Sequence, residues 1–125
     1  FHARRCVIPM TLFFEWGAGA GAGGKKQAHE FCDPGDGYLW AAGIWEENSE
    51  FGHCYSMVTT AASPQMAPIH HRMPALLRSE EMEEFVTSTG SWDFQPYAGP
   101  LASAPCESPL IRTKRRGDDQ QPELF

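Results

Sequence analysis

The feature that most constrains the fold is a succession of short β-rich runs, separated by glycine and proline turn signals, in a chain of 125 residues. The clearest run spans residues 38–46 (YLWAAGIWE), and turn-forming residues precede it at 33–37 (DPGDG). A nearly continuous apolar run of this length between turn signals predicts a strand buried on both faces. The polar residues 47–52 then predict a hairpin, with residues 53–60 as its second strand.

Other β-rich runs predict further strands, and proline residues are expected to interrupt them. Pro9 is expected to end the first strand, and Ser63–Pro64 predicts a single helical turn. Residues 17–24 (GAGAGAGG) and the proline-rich stretch 90–109 predict loops. The further strands are predicted at residues 5–8, 12–16, 29–32, 72–77 and 108–113.

One helical pattern is clear, at about residues 80–87, with Ser79 as the predicted cap and with Met82, Phe85 and Val86 on one face. Strands and helix together predict a β-dominated α+β fold, an antiparallel barrel-like sheet with a few short helices. The length suits one domain, which we place at residues 1–113, followed by a polar tail at 114–125.

Composition excludes some classes of protein. No apolar run reaches the roughly 18–20 residues that a transmembrane helix needs, and the first residues do not resemble a signal peptide. The net charge of −6 provides no overall basic field for nucleic acid. The four cysteines are widely spaced without a CxxC pattern, which favours buried, reduced thiols over a zinc site or a disulfide framework.

Two positions are candidates for chemistry on the residues alone. Glu15 is a carboxylate inside an apolar, aromatic strand, where burial would raise its pKa toward neutrality. His70 lies between Pro68 and Pro74, and a histidine titrates in the same range. The two side chains could form an acid/base pair. The alternatives are a carboxylate at a hairpin edge facing water and a loop histidine hydrogen-bonded to backbone.

Four sequence blocks then carry a resemblance. Residues 4–9 (RRCVIP) and 13–16 (FFEW) resemble the "RRCLVPA…FYEW" segment of the SRAP family, the SOS response-associated peptidases that process abasic sites in DNA. Residues 42–46 (AGIWE) resemble that family's "AGLWE" strand, and residues 57–62 (MVTTAA) resemble its "IITTEA". Residues 66–77 (MAPIHHRMPALL) resemble "MAPIHDRMPVIL". The blocks occur in the family's order, and the His-x-Arg-Met-Pro block is specific.

The resemblance implies a thiol-dependent, autoprocessing peptidase that also acts as an abasic-site crosslinker and lyase. In this family an N-terminal cysteine captures the open-chain aldehyde of the abasic site, and its amine and thiol close a thiazolidine ring. The family's glutamate corresponds to Glu15, which would move a proton to and from the sugar and serve removal of the initiator Met. The family's histidine corresponds to His70, which would assist ring opening and β-elimination.

The same resemblance implies the residues that contact DNA. Arg72 would hold a phosphate that flanks the lesion, since a guanidinium fork suits a phosphate. Trp16 would pack on a base or sugar, and Thr59 and Thr60 would donate hydroxyls to phosphate. The family uses no metal and no nucleotide cofactor.

The sequence departs from the family at two places. Phe1 stands where the chain starts, and the family's nucleophilic cysteine is not matched, so we expect an N-terminally truncated domain that cannot crosslink DNA alone. Cys6 corresponds to an internal strand cysteine, whose backbone nitrogen is an amide. His71 stands where the family usually has an acidic residue.

The expected partner is single-stranded DNA with abasic sites. We expect a monomer without membrane contact, in the cytoplasm or with the nucleoid or nucleus, and not secreted. A catalytically inactive module that still binds single-stranded DNA is one alternative. A zinc- or disulfide-stabilised interaction domain is another.

Overall fold

A computed structural model describes residues 4–17 and 26–110. The loop predicted at 17–24, apart from Gly17, and the tail predicted at 114–125 lie outside the described residues. In chain order the elements are β1 (Arg5–Met10), β2 (Leu12–Gly17), β3 (Gln27–Cys32), β4 (Leu39–Asn48), β5 (Gly52–Met57), β6 (Thr59–Ala61), β7 (Arg72–Pro74), β8 (Leu76–Leu77), α1 (Ser79–Thr87) and β9 (Ala102–Cys106).

The apolar run forms the central strand β4 of the first sheet. β1 pairs antiparallel with one edge of β4, from Leu39 to Ile44. β8 and β5 pair with the other edge, at Trp40–Ala41 and Gly43–Asn48 respectively. Ala41 and Ala42 are fully buried, so the first half of β4 is covered on both faces, as its sequence predicts.

Two smaller antiparallel sheets complete the fold. In the order β2-β3-β9, Phe13 lies opposite Phe31, and their rings stack with centroids 5.1 Å apart. β6 and β7 form a separate two-stranded ladder in which Thr60 lies opposite Met73.

The core consists of two apolar clusters. One joins the three sheets, and its buried members are Phe13, Phe31, Leu39, Ala41, Met66, Met73 and Leu76. The other packs the helix on the first sheet, and its buried members are Ala42, Ala75, Leu77 and Phe85. The first cluster is the one that brings β2 and the segment before β7 together.

The predicted fold class is confirmed: strands dominate, all described pairings are antiparallel, and the described residues contain one short helix. The described sheets do not close into a barrel. This helix is nine residues long, and no helix in the described part is long and apolar enough to cross a membrane.

Several predicted strand limits are wrong in instructive ways. Pro9 does not end β1, which continues to Met10. Among the described strands, β1 pairs only with β4, so its other edge has no partner strand, and the N–H that proline lacks is not needed at that edge. The strand predicted at 53–60 breaks at Val58, and the one predicted at 72–77 breaks at Ala75.

The last strand is also displaced from its predicted position. It is β9, inside the stretch predicted to be irregular, and residues 108–110 are not strand. The remainder of that predicted strand, residues 111–113, lies outside the described residues.

The helix begins at Ser79, one residue earlier than predicted. Arg78, and not Ser79, is the N-cap, and the Glu81 carboxylate accepts a hydrogen bond from the Arg78 N–H at 2.9 Å. Phe85 is buried as predicted, whereas Val86 is 43% exposed. The helical turn predicted at Ser63 is a run of hydrogen-bonded turns.

Candidate active site

Glu15 lies near the end of β2 and is partly buried. Its side chain is on the same face as Phe13 and Gly17, because alternate residues of a strand share a face. Gly17 lies against the backbone of Ile69, and a Cβ at Gly17 would be 3.6 Å from the Ile69 carbonyl oxygen. The end of β2 therefore meets the segment that leads into His70.

Hydrogen-bonded turns place His70 at this point. The Ile69 and His70 N–H groups both donate to the Met66 carbonyl, at 2.8 and 3.1 Å. The Met66 side chain is fully buried in the same cluster as Phe13, which anchors the turn to β2. His70 Nδ1 lies 3.6 Å from Glu15 Oε2, with the two side chains 32% and 23% exposed.

Burial raises the pKa of the Glu15 carboxyl, and the nearby His70 and His71 oppose this by lowering it. Burial is the largest effect, so Glu15 holds a proton to a higher pH than an ordinary glutamate does. Glu15 is therefore not a water-facing hairpin carboxylate. A partly buried carboxyl beside an imidazole is suited to moving protons.

Nδ1 of His70 has three candidate partners, one hydrogen-bond donor and two acceptors, and it can bond to the donor or to an acceptor but not to both at once. The Arg72 N–H donates to it at 3.1 Å, which requires an unprotonated Nδ1. The Arg72 carbonyl at 3.0 Å and the Glu15 carboxylate both require a proton on Nδ1. The surroundings thus accommodate both protonation states of this nitrogen. His70 therefore contacts backbone, as one of the two alternatives predicted, and also lies 3.6 Å from Glu15, with which the other alternative pairs it.

Arg72 and Thr59 also come together, because the Arg72 side chain bonds to Thr59 from the opposite end of the three-residue β6–β7 ladder. Arg72 Nη2 donates to the Thr59 carbonyl at 2.8 Å and to Thr59 Oγ1 at 3.1 Å. Both residues are exposed, so the guanidinium is held in place while it faces solvent. A held, exposed guanidinium is a suitable ligand for a phosphate.

Two of the predicted site residues do not join this group. Trp16 follows Glu15 directly in β2, so its side chain is on the opposite face of the strand. The Trp16 indole N–H donates to Ser108 Oγ at 3.3 Å. Thr60 is half-buried, and its hydroxyl donates to the Ala61 carbonyl at 3.1 Å.

Sequence reasoning missed the neighbours of the pair. The ring of His71 stacks on His70, with centroids 4.7 Å apart and the planes inclined by 24°. His29 lies opposite Glu15 in the β2–β3 register. The sequence marks His71 only as a histidine at a position where the family usually has an acidic residue, and that difference alone indicates no role.

The cysteines form no centre of their own. All four lie in the described part, and each is a free thiol. Burial raises the pKa of Cys6, and burial followed by the Glu30 charge raises that of Cys106, which lowers the reactivity of both. Within residues 4–17 and 26–110, no three His, Cys, Asp or Glu side chains could hold a metal ion.

Comparison with known proteins adds the fold and the family. A crystal structure of a protein from Bacteroides thetaiotaomicron superposes with a TM-score of 0.68 at 24% identity, over 83% of this chain and 50% of that one. A crystal structure of a protein from Bordetella bronchiseptica gives a TM-score of 0.68 at 24% identity, over 85% of this chain and 56% of that one. The chain thus spans about half the length of these solved structures, with which it shares its fold.

No curated protein matches the chain. The sequence pattern described as SOS response associated peptidase (SRAP) matches residues 1–111, which is most of the chain. The chain therefore belongs to the SRAP family.

Proposed function

We propose that this chain forms the acid/base and phosphate-binding part of a site that processes abasic sites in single-stranded DNA. The observation that carries the proposal is the 3.6 Å approach of Glu15 Oε2 to His70 Nδ1, which also accepts a hydrogen bond from the N–H of Arg72, a residue with an exposed side chain. Family membership supports the proposal, because the three residues lie in the blocks that resemble the family's own.

The chemistry of an abasic site needs groups of this kind. The sugar is mostly a closed hemiacetal, and opening it requires a proton to leave the C1′ hydroxyl and another to reach the ring oxygen. A carboxyl with a raised pKa and a neighbouring imidazole can supply and accept those protons. Glu15 acts on the sugar in this proposal, and His70 takes part in ring opening and in β-elimination.

Arg72 positions the DNA strand. The Thr59 carbonyl and hydroxyl accept hydrogen bonds from one guanidinium nitrogen, which fixes the exposed group, and the Arg72 backbone N–H donates to the His70 ring. A phosphate bound there would place the adjacent sugar toward the Glu15–His70 pair. We do not give Trp16 or Thr60 a direct role at the sugar, because their side chains contact other parts of the protein.

We further propose that this chain does not capture the aldehyde by itself. A thiazolidine needs a thiol and a free α-amine on the same residue, and the four cysteines lie inside the chain, where the nitrogen is an amide. Capture also needs a thiolate, which the raised pKa of Cys6 and Cys106 disfavours.

The experiment supplies an amine and a thiol from solution, in the form of free cysteine. Free cysteine reacts with an abasic aldehyde to give a thiazolidine and water, and its rate depends on the fraction of open-chain sugar. We expect the chain to accelerate adduct formation on an abasic oligonucleotide by up to about 100-fold, the lower end of general acid–base catalysis. Mass spectrometry of the oligonucleotide measures the rate, with Glu15→Gln as the inactive variant.

The matched control is Arg78→Ala. This exposed arginine pairs with Glu80 and Glu81 at the start of α1, in a different part of the fold from the site. The control is expected to keep the acceleration that Glu15→Gln loses. Equal rates with and without the chain would refute acid/base processing. If DNA binding persists in that case, the chain is a module that binds single-stranded DNA without processing it. The exposed Arg72 favours this alternative over a zinc- or disulfide-stabilised interaction domain.

A further inference from the structure

His71 is an exposed residue that contacts one member of the candidate pair, His70. Its ring lies on the ring of His70 at 4.7 Å between centroids and 24° between planes. The edge of His70 that carries Nδ1 is engaged by the Arg72 backbone and by Glu15. The His70 ring is thus held on one face by stacking and at one edge by polar contacts.

The charges around Glu15 show a second effect of His71. His70 and His71 follow the turn at residues 64–69, His29 lies opposite on β3, and the Arg72 guanidinium on β7 is directed to Thr59. Among these groups, His70 and then His71 lower the pKa of Glu15 against the larger effect of burial. His71 therefore influences a carboxylate through its charge.

We propose that His71 is a positioning residue for the Glu15–His70 pair: its ring holds the His70 ring by stacking and places a second imidazole beside the pair. The importance of His71 for abasic-site chemistry rests on the proposed function, whereas its role in holding the His70 ring does not depend on that function. An acidic residue at this position, as in the family block that the sequence resembles, would repel ionised Glu15. Histidine at this position in this chain removes that negative charge.

Three variants separate stacking from charge. His71→Phe keeps a flat ring and removes the charge, His71→Ala removes both, and His71→Asp introduces the opposite charge. Because His71 is exposed, all three are expected to fold, and circular dichroism verifies this. NMR provides the readouts: the ¹³C shift of the Glu15 carboxyl against pH, and the ¹⁵N shifts of the His70 ring.

The expected pattern differs between the variants. All three raise the pKa of Glu15, and His71→Asp raises it most. The His70 ¹⁵N shifts stay as in the parent protein in His71→Phe and change in His71→Ala. The proposal is overturned if the titration of Glu15 is the same in all four proteins, or if His71→Ala leaves the His70 shifts unchanged.

The cysteine adduct assay connects this result to function. In His71→Phe, the pH dependence of the acceleration is expected to move to higher pH together with the pKa of Glu15. If the NMR pattern is found but the parent protein gives no acceleration, the positioning role stands and the proposed function fails. If the parent protein accelerates adduct formation and the NMR pattern is absent, the proposed function stands and the positioning role of His71 fails.

Discussion

Replacing Arg5 should remove the main polar connection between β1 and the end of helix α1. The Arg5 side chain is buried at 4% exposure, and its guanidinium donates to the carbonyls of Phe85, Ser88 and Gly90. It also lies over the Phe85 ring, 5.1 Å from the centroid. These carbonyls belong to the helix end and the residues after it, where intrahelical donors run out. One side chain therefore satisfies the helix end and joins it to the first sheet.

The cost of Arg5→Met follows from the burial of each acceptor. The carbonyl of buried Phe85 loses its partner, which costs about 1–3 kcal/mol, and the lost cation–π contact adds about 1 kcal/mol. The exposed Gly90 carbonyl is rehydrated at little cost, and half-buried Ser88 is intermediate. Since methionine also avoids the cost of burying a guanidinium, we expect a net loss of about 2–3 kcal/mol.

Urea denaturation monitored by tryptophan fluorescence measures this loss, because the Trp92 ring packs on Phe85 at 5.4 Å and reports on the helix. The melting temperature should fall by roughly 10 °C. Arg4→Met is the matched control: Arg4 is exposed over the Trp45 ring, so its replacement should cost less than about 1 kcal/mol. Equal losses for Arg4→Met and Arg5→Met would refute the argument, since burial of the acceptors would then not decide the cost.

Three further predictions concern the site and the central strand. Because the pKa of Glu15 lies above its ordinary value of 4.5, its protonated form stabilises the fold at low pH, and this contribution is lost as pH rises through the raised pKa. Glutamine stays uncharged at every pH, so Glu15→Gln should be more stable than the parent protein near neutral pH but not below pH 4.5. Urea denaturation across pH measures this difference in stability. Arg72→Ala should reduce the slope of log affinity against log salt for single-stranded DNA by about 0.7, the value for one phosphate, and an unchanged slope would exclude a phosphate contact. Gly43→Ala would place a Cβ 2.7 Å from Ile8 Cδ1 and 3.1 Å from the Ser56 carbonyl oxygen, so thermal unfolding should show a loss of about 1–3 kcal/mol.

Local sequence patterns predicted the strands that have strong β-formers. The run at 38–46 and the aromatic run at 12–16 both form strands close to their predicted limits. β9 was missed because ASAPC has small residues and a proline instead of β-formers. Its strand conformation comes from pairing with β3, where Ser103 lies opposite Phe31. Such tertiary pairing is not visible in local propensity.

The site was predictable in its residue types but not in its geometry. Glu15 stood out as a carboxylate in an apolar strand, and His70 as a histidine between prolines. Their contact joins residues from different sheet segments, and it depends on packing that no local pattern encodes. His71 was missed for a related reason: stacking on His70 depends on the turn at residues 64–69, which the sequence predicted only as one helical turn.

The apolar core sets the environment of Glu15 and His70. Phe13 lies two residues before Glu15 on the same face of β2, and Met66 lies one helical-type turn before His70. Both apolar side chains belong to one buried cluster, so the packing of Phe13 and Met66 sets the separation of Glu15 from His70. The same packing leaves Glu15 at the margin of the apolar layer, where partial burial raises its pKa. The contact of Glu15 with His70 and the raised pKa of Glu15 therefore have one structural cause. A core substitution that loosened the packing of Phe13 or Met66 would change both the Glu15–His70 separation and the pKa of Glu15.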